Sequence, residues 1–411
     1  MASTLYKRII IETLIKYLYT NDIIVIHGAR QVGKTSILMY LQQQLQGKAE
    51  KTCYIDLEDN RYTSILDQGV DNFLTFLREE GYPLENLIGT DKKLFVLIDE
   101  IQYLADPSPF LKLLADHHHE IKLIISGSSS FEMKGKFSDS LVGRTVNFEI
   151  YPLSFRELLI FRGVHFIPKL QMTDKKVKEI RDLYEEYALY GGYPKIVLTS
   201  DVSMKEKYLQ QIIDTYIRKD IRDLAEIKEV TKFNNLVALL ASQSGNLLNI
   251  TEISNTTGLA KQTVERYLFL LEQTYIIRLV HPYSRNLRTE LFRTPKVFFY
   301  DTGLLQMLWL KRMQRELLGS VFETSVFSEL VKLYSPEQIG FWRTKDKKEI
   351  DFILYRPEGV LPIEAKLQFT HSIPTALKSF WKYGDPSLVD FRLVGLNGTP
   401  NLPKMIYPWE L

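Results

Sequence analysis

The chain has 411 residues, of which 45% are hydrophobic and 25% charged, and this length and balance predict a globular protein of two or three domains. It carries 52 Lys and Arg against 50 Asp and Glu, so no overall charge draws nucleic acid to the molecule and any basic surface must be local. A single cysteine, Cys53, excludes an internal disulfide, and no apolar run approaches the ~18 residues of a membrane span, so we expect a cytoplasmic protein without a membrane partner.

The first motif follows a predicted helix over residues 5–19 and a predicted buried strand over 23–26. Residues 28–35 read Gly-Ala-Arg-Gln-Val-Gly-Lys-Thr, which fits the phosphate-binding pattern G-x-x-x-x-G-K-[ST], and a helix is predicted from Ser36. An ordinary glycine turn is the alternative. The strand before the loop and the helix after it favour phosphate binding, because backbone N–H groups at a helix N-terminus converge on phosphate oxygens.

This loop predicts a nucleotide and Mg²⁺ as cofactors. In the motif, the lysine (Lys34) reaches the β- and γ-phosphates and the hydroxyl of Thr35 ligates Mg²⁺. The predicted nucleotide-binding residues are Gly28, Ala29, Arg30, Gln31, Val32, Gly33, Lys34, Thr35 and Ser36.

Two acids end the third predicted strand. Strands are predicted over 52–57 and 94–98, and the second of these runs into Asp99-Glu100. Ligands of open α/β sheets bind at such strand ends, so we expect Asp99 to bind Mg²⁺, directly or through water, and Glu100 to polarise the attacking water. Two solvated acids at a strand end are the alternative.

A serine-rich turn, residues 126–130, follows a fourth predicted strand over 123–125, and a fifth strand is predicted over 146–150. A hydroxyl here would hold the attacking water or touch the γ-phosphate; the pattern does not single out one serine, and we name Ser128 as the candidate catalytic residue. A simple turn is the alternative. Strands that alternate with helices predict a parallel sheet covered on both faces.

Residues 1–200 resemble an AAA-type ATPase domain, of the branch in which an extra strand separates the phosphate loop from the acidic strand. The resemblance implies ATP as the nucleotide and its hydrolysis as the reaction. Arg144, in Leu141-Val142-Gly143-Arg144, resembles an arginine finger that acts on a neighbouring subunit, although a tether to a nearby acid is an equal alternative. The turn Gly191-Gly192-Tyr193-Pro194 resembles part of the helical lid of such ATPases, with a plain helix end as the alternative.

The pattern of residues 233–280 predicts a winged helix-turn-helix. Its elements are three helices and a strand, predicted over 233–242, 250–258, 263–273 and 275–280. The motif would present Lys261, Gln262 and Arg266, and the stretch 278–296 is basic, which favours contact with DNA phosphates. Packing against the ATPase domain is the alternative, since Glu252 and Glu265 would repel DNA.

The last segment combines three carboxylates with one lysine. Glu323 lies in a predicted helix ending at Leu333, and three strands are predicted over 339–343, 349–354 and 361–366. Strand alternation puts Glu364 and Lys366 on one face beside Asp351, so we expect Glu323, Asp351 and Glu364 to bind Mg²⁺ and Lys366 to orient water or stabilise charge during phosphodiester cleavage. The segment resembles a PD-(D/E)XK nuclease domain; an inactive scaffold is the alternative.

The expected fold is α/β: a P-loop NTPase parallel sheet of AAA type with a helical lid, then a winged helix, then a small α/β restriction-endonuclease-like domain. The expected boundaries are 1–160, 161–228, 229–300 and 301–411. The whole chain resembles a prokaryotic family that joins an AAA-type ATPase to an uncharacterised C-terminal region. The segments that carry this resemblance are Gly28–Thr35, Leu94–Gln102, Leu141–Arg144, Gly191–Pro194, Phe298–Leu304 and Glu349–Lys366.

We therefore expect a Mg²⁺-dependent ATPase that acts on DNA or is regulated by it. The alternative is a slow nucleotide-dependent switch or scaffold that binds a protein partner and has an inactive nuclease-like domain. ATP is the expected ligand, and DNA, a second copy of the chain and another protein stay open as partners.

Overall fold

The structure, a computed structural model, forms two compact units, Met1–Tyr151 and Pro152–Leu411. The residues it describes are 5–82, 84–128, 141–167, 172–221, 227–283, 294–370, 372–383, 390–402 and 404–411. Within this part of the chain, no helix combines the length and the apolar character that crossing a membrane would need.

A five-stranded parallel sheet forms the centre of the first unit. Its strands are β1 Ile23–Gly28, β2 Lys51–Asp56, β3 Leu94–Asp99, β4 Ile121–Gly127 and β5 Thr145–Ile150. They lie in the order β2-β3-β4-β1-β5, and every neighbouring pair is parallel. Strands β1, β3 and β4 are buried along their whole length, as expected for central strands covered on both faces. The predicted parallel sheet is confirmed, and β4 is the extra strand between β1 and β3.

Helices pack beside this sheet. They are α1 Ile11–Leu14, α2 Lys34–Gly47, α3 Asn60–Asp67, α4 Val70–Glu79 and α5 Pro107–His117. Apolar residues of α3, α4 and α5 join those of β2, β3 and β4 in one core. The predicted helix over residues 5–19 is wrong in extent, because only α1 and a 3₁₀ turn at Ile15–Tyr17 form there. Its β-branched and aromatic residues are weak helix formers, and few of them are buried.

The second unit begins with helices. These are α6 Phe155–Phe161, α7 Asp174–Tyr190, α8 Pro194–Val197, α9 Val202–Ile212, α10 Val230–Ser242, α11 Ile250–Thr257 and α12 Lys261–Gln273. A π-helical stretch, Ile213–Asp220, continues α9. After α12, strands β6 Ile277–Val280 and β7 Lys296–Phe299 pair antiparallel.

The C-terminal part of the second unit contains a mixed sheet. Its helices are α13 Thr302–Leu310, α14 Gly319–Leu333 and α15 Thr375–Tyr383, and its strands are β8 Ile339–Arg343, β9 Glu349–Arg356, β10 Gly359–Gln368, β11 Arg392–Asn397 and β12 Met405–Ile406. The order is β12-β11-β10-β9-β8. Strands β8, β9 and β10 are antiparallel, whereas β11 and β12 run parallel to β10. The sequence pattern predicts only the first three strands; β12, with two residues, is too short to show a pattern.

Two sequence motifs of the second unit fold against each other. Gly191 ends α7 with a φ of +79°, and the carboxylate of the buried Asp301 accepts a hydrogen bond from the Gly192 N–H at 2.8 Å. The same carboxylate caps α13 by accepting from the Leu304 N–H at 2.9 Å. A Cβ at Gly191 would overlap Asp301, and one at Gly303 would overlap the carbonyl of Tyr190. The glycine turn predicted as part of a lid therefore holds the start of α13 in place.

Candidate functional site

The phosphate loop depends on its two glycines. Gly28 has a φ of +153°, and a Cβ there would overlap the carbonyl oxygen of Ile150 at the end of β5. Gly33 has a φ of +97° and precedes the first residue of α2 without a side-chain cap. Left-handed backbone favours glycine, so glycine suits both positions, whereas the third left-handed residue of the loop is Gln31, at a φ of +62°. The N-terminus of α2 is thereby presented as an anion site.

Lys34 lies inside the curve of the loop. Its side chain is buried, and its Nζ donates hydrogen bonds to the carbonyl oxygens of Gly28 at 3.2 Å and Ala29 at 2.9 Å. The other side chains differ in exposure: Ala29 and Val32 are buried, Arg30 and Thr35 are half-buried, and Gln31 and Ser36 are exposed. An anion bound in the loop would compete with two neutral carbonyls for the Lys34 ammonium.

Asp99 is buried at the end of β3. Its Oδ2 accepts a hydrogen bond from the Tyr54 hydroxyl at 3.0 Å, and its Oδ1 accepts one from the Ser126 hydroxyl. Burial and the charge of Asp99 raise the pKa of Tyr54, which therefore stays a neutral donor. Tyr54 lies on β2 and Ser126 on β4, the two neighbours of β3 in the sheet. Flanking strands thus fix the orientation of the carboxylate.

Glu100 has a left-handed backbone, with a φ of +57°, which is uncommon for a residue other than glycine. Its N–H donates to the Ser126 hydroxyl at 3.2 Å, and its carboxylate accepts a hydrogen bond from the Gln102 side chain. Burial raises the pKa of Glu100, and the nearby Lys34 opposes this shift. A half-buried carboxylate held beside the phosphate loop has the setting of a base that polarises water.

The serine that lies against the acids is Ser126. Ser128, the residue named from the sequence, is buried and its N–H donates to the Gln102 Oε1 at 3.3 Å. The following serines, 129 and 130, are outside the described residues. The sequence did not single out Tyr54 or Gln102 either. A signal for Tyr54 is that β2 and β3 both end in an aspartate, Asp56 and Asp99, which pair in the sheet and place Tyr54, two residues before Asp56, near the end of β3.

Arg144 is engaged within its own unit. Its Nε and Nη2 donate to the two carboxylate oxygens of Asp116 at 2.6 and 3.1 Å, and about a third of each side chain is exposed. This hydrogen bonding lowers the pKa of Asp116. The geometry matches the alternative interpretation of Arg144 as a tether, while the arginine-finger role requires a second chain and stays a prediction.

A second polar cluster lies in the C-terminal sheet. Lys366 Nζ donates to Asp351 Oδ2 at 3.2 Å and pairs with Glu364 Oε1 at 2.9 Å. The N–H of Ala365 also donates to Asp351 Oδ2, at 2.9 Å. Both carboxylates are buried, whereas the Lys366 side chain is half exposed. Strands β9 and β10 therefore bring together the acids and the lysine predicted from their spacing.

Glu323 joins this cluster from α14 through a lysine that the sequence did not reveal. Lys296 of β7 is 1% exposed, and its Nζ lies 3.2 Å from Glu323 Oε1 and 2.6 Å from Glu349 Oε1. Lys296 is the last residue of the basic stretch 278–296, which the sequence predicts to contact DNA phosphates. That prediction is wrong for Lys296, because its ammonium is buried in ion pairs with two carboxylates.

The carboxylates of the cluster share an unfavourable environment. Burial and the charge of Asp351 raise the pKa values of Glu323 and Glu364 to about 7. Among the described residues, Glu364 Oε2 is buried without a hydrogen-bond partner. This unpartnered oxygen fits a cation.

The rest of the cluster does not form a metal site as it stands. No group of three or more acid, His or Cys side chains in the described ranges is arranged to hold a metal, and two lysines lie among the acids.

The helix-turn-helix candidates are on the surface of the second unit. Lys261, Gln262 and Arg266 are exposed on α12, and so is the acidic Glu265. Arg278 pairs with Glu337 at 3.1 Å, whereas three further arginines of the basic stretch, at 285, 288 and 293, are outside the described residues. The described part of this surface has both charge signs.

Three parts of the chain are similar to known protein families. Residues 20–159 match the family described as "AAA domain". Residues 181–316 match "Domain of unknown function (DUF8612)", and residues 318–403 match "Domain of unknown function (DUF4143)". The first match coincides with the parallel sheet and the phosphate loop.

Similar proteins extend over most of the chain. An uncharacterized protein of Haemophilus influenzae is 29% identical over 87% of this chain and 86% of its own length. One of Methanocaldococcus jannaschii is 28% identical over 82% of this chain and 73% of its own. Among solved structures, AMPPCP-bound DnaA from Aquifex aeolicus is 17% identical over 64% of this chain and 87% of its own, with a TM-score of 0.27. The family match over residues 20–159, together with the five-stranded parallel sheet, supports an AAA-type ATPase domain in the first unit.

Proposed function

We propose that the protein binds and hydrolyses ATP with Mg²⁺ in its first unit. The observation that carries the proposal is the phosphate loop at the N-terminus of α2, with the buried Asp99 and the half-buried Glu100 at the end of β3 in the same sheet. The match to the AAA domain family supports nucleotide binding and hydrolysis.

Each polar residue has a role that its geometry suits. Thr35 and Asp99 are the residues that would hold Mg²⁺, which supplies neutralisation of phosphate charge when bound. Lys34 exchanges its two carbonyl partners for phosphate oxygens. Glu100 polarises the attacking water, and Ser126 and Tyr54 keep Asp99 in place. Ser128 remains a proposed contact, and Arg144 remains a proposed finger toward a neighbouring subunit.

Lys34→Ala tests the proposal. Titration with Mg-ADP should show binding by the parent and a loss of at least about tenfold in affinity in the variant, because a charge-assisted contact to phosphate is removed. Lys48→Ala, an exposed lysine just after α2, is the matched control and should bind as the parent does. Equal affinity in Lys34→Ala and the parent would contradict the proposal.

We propose four domains along the chain: an ATPase core over 1–160, a helical lid and connector over 161–228, a winged helix over 229–300 and a nuclease-like domain over 301–411. Three helices followed by an antiparallel strand pair favour the winged helix. Asp351, Glu364 and Lys366 are residue types that serve metal-dependent phosphodiester cleavage, which we propose as a second activity that requires the two acids to release Lys366 and bind the metal. An inactive domain that serves as a scaffold is the competing hypothesis.

Metal and DNA titrations separate these hypotheses. An active site requires that the full chain bind Mn²⁺, that Asp351→Ala lose both binding and cleavage of branched, single-stranded or duplex DNA, and that Lys366→Ala lose cleavage alone. A scaffold requires that neither variant change any of these. If the winged helix contacts DNA, the affinity of the full chain for DNA must fall steeply as salt is added, because phosphate contacts release counterions. A DNA affinity that does not depend on salt would favour a protein partner.

A further inference from the structure

Arg8 is a buried cation of the first unit and precedes α1. Its residue is 7% exposed. A guanidinium stays charged in proteins, so its burial is costly unless its N–H groups are hydrogen-bonded. Nη1 donates to the carbonyl oxygen of Val32 at 2.8 Å, and Nη2 donates to that of Tyr151 at 3.1 Å. One side chain thus connects the phosphate loop to the residue that follows β5.

The contact at Val32 orients a loop amide. In a trans peptide the carbonyl oxygen and the following N–H point in opposite directions. Because the Val32 carbonyl is directed at Arg8, the N–H of Gly33 is directed away from it. Loop amides of this motif cradle the phosphates. Gly33, on one side of this peptide, has a φ of +97°, and Gln31, the residue before Val32, has a strained left-handed φ of +62°, so the contact at the Val32 carbonyl helps to hold this stretch of backbone in place.

The hydrogen bond to the Tyr151 carbonyl fixes the position of the guanidinium at the end of β5. Gly28, at the other end of the loop, packs against the carbonyl of Ile150, the residue before Tyr151. Both ends of the loop are therefore held against the end of β5, one by close packing and one through Arg8. Arg8 is itself anchored, because its carbonyl accepts from the Ile11 N–H at 3.2 Å and Ile11 is buried.

We propose that Arg8 is a positioning residue for phosphate binding: it holds the Val32–Gly33 peptide in the orientation that turns the Gly33 N–H toward the phosphates. This inference rests on the proposed nucleotide site. Arg8 acts through the loop, so its loss should weaken phosphate binding and leave Asp99 and Glu100 in place.

The experiment compares Arg8→Ala and Arg8→Lys with the parent in the full chain. The control is Lys7→Ala. Lys7 is the residue before Arg8, and its exposed side chain pairs with Glu12. The measurements are the Kd for Mg-ADP by displacement of a fluorescent ADP, the KM and kcat for ATP, and the melting temperature without nucleotide. Arg8→Ala should raise the Kd and KM about tenfold, a loss of about 1.4 kcal/mol, with kcat within about twofold. Arg8→Lys should have an intermediate Kd, because one ammonium replaces two diverging donors.

Unchanged ADP affinity in both variants would overturn the proposal, even with a lower melting temperature, since the role of Arg8 would then be structural only. If Arg8→Ala does not fold, Arg8→Lys decides, and a Kd within about twofold of the parent overturns the proposal. A parent that binds no ADP refutes the proposed function itself, and with it this inference, so the two failures are distinguishable.

Discussion

Glu100 combines a left-handed backbone with a half-buried carboxylate whose pKa is raised by burial. Each feature is unfavourable by itself, at a cost of about 1–3 kcal/mol for the backbone strain. The hydrogen bonds of its N–H to Ser126 and of its carboxylate to Gln102 maintain this arrangement. Strain of this kind at the end of β3, beside the phosphate loop, is consistent with a residue whose position matters for chemistry.

Glu100→Gln should retain Mg-ATP binding and slow hydrolysis by about 10²-fold or more, because the amide keeps the volume but cannot polarise water as a base. Stopped-flow binding and steady-state turnover measure the two effects separately. Glu58→Gln, an exposed acid of the same unit, is the control and should turn over normally. Turnover in Glu100→Gln equal to that of the parent would remove Glu100 from this role.

Gly192 lies in a tight turn that has no space for a side chain. A Cβ at this position would overlap the carbonyl oxygen of Leu153, and the Gly192 N–H is already bonded to Asp301. Burial raises the pKa of that aspartate, so its backbone hydrogen bonds are needed to stabilise the charge. The turn is therefore sensitive to added volume.

Gly192→Ala should lower the free energy of unfolding by about 1–3 kcal/mol through overpacking. Gly319→Ala is the matched control in the same unit, because an added Cβ there meets nothing within 4 Å, and it should be neutral or slightly stabilising. Urea denaturation followed by circular dichroism measures both. Equal stability of the two variants would mean that the turn relaxes freely.

At the scale of elements, β9, β10 and α14 bring carboxylates together and two lysines partly compensate their charge. Glu323 and Glu364 have pKa values raised to about 7 by burial and by Asp351, against an ordinary value of 4.5. Burial lowers the pKa of Lys366, but the charges of Asp351 and Glu364 raise it by more, so that it lies above its usual value. The lysine therefore stays charged, and the acids titrate near neutrality.

The raised pKa of Glu364 makes stability depend on pH. The folded state holds this proton more tightly than the unfolded state, so the contribution to stability is present below about pH 4.5 and is lost as the pH rises through about 7. Glu364→Gln should therefore lose less stability than the parent between pH 5 and pH 8 in metal-free urea denaturation. Glu358→Gln, an exposed acid after β9, should follow the parent. Parallel curves for Glu364→Gln and the parent would contradict the raised pKa.

At the scale of the whole molecule, the two proposed sites belong to separate compact units. The phosphate loop lies on β1 and α2 of the first unit, and the carboxylate–lysine cluster lies on β9, β10 and α14 of the second. Each unit has its own sheet, so each site is built from contacts inside one unit.

We therefore expect the two ligands to bind independently. If the second unit binds Mn²⁺, then in the full chain Lys34→Ala should lose Mg-ADP binding and keep that Mn²⁺ affinity, and Glu364→Gln should lose Mn²⁺ binding and keep Mg-ADP binding. Isothermal titration of each variant with each ligand provides the four comparisons. A loss of Mn²⁺ binding in Lys34→Ala would show that the sites are coupled.

The sequence by itself determined the features that depend on neighbouring residues. The apolar runs predict the parallel strands, and the glycines of the phosphate loop allow the backbone angles that only glycine adopts easily. The acids at the end of β3 and the alternation that puts Glu364 and Lys366 on one face are local in the same sense. For this reason the phosphate loop and the acids after β3 were predictable at the right positions.

Only the tertiary structure decided which distant residues surround these motifs. Ser126 and Tyr54 reach Asp99 through strand order, Lys296 enters the carboxylate cluster as a buried partner, and Arg8 reaches Val32 from 24 residues away. Such contacts depend on strand register and on which charges are buried together. Neither property is encoded in a local pattern, because it arises only when the elements pack.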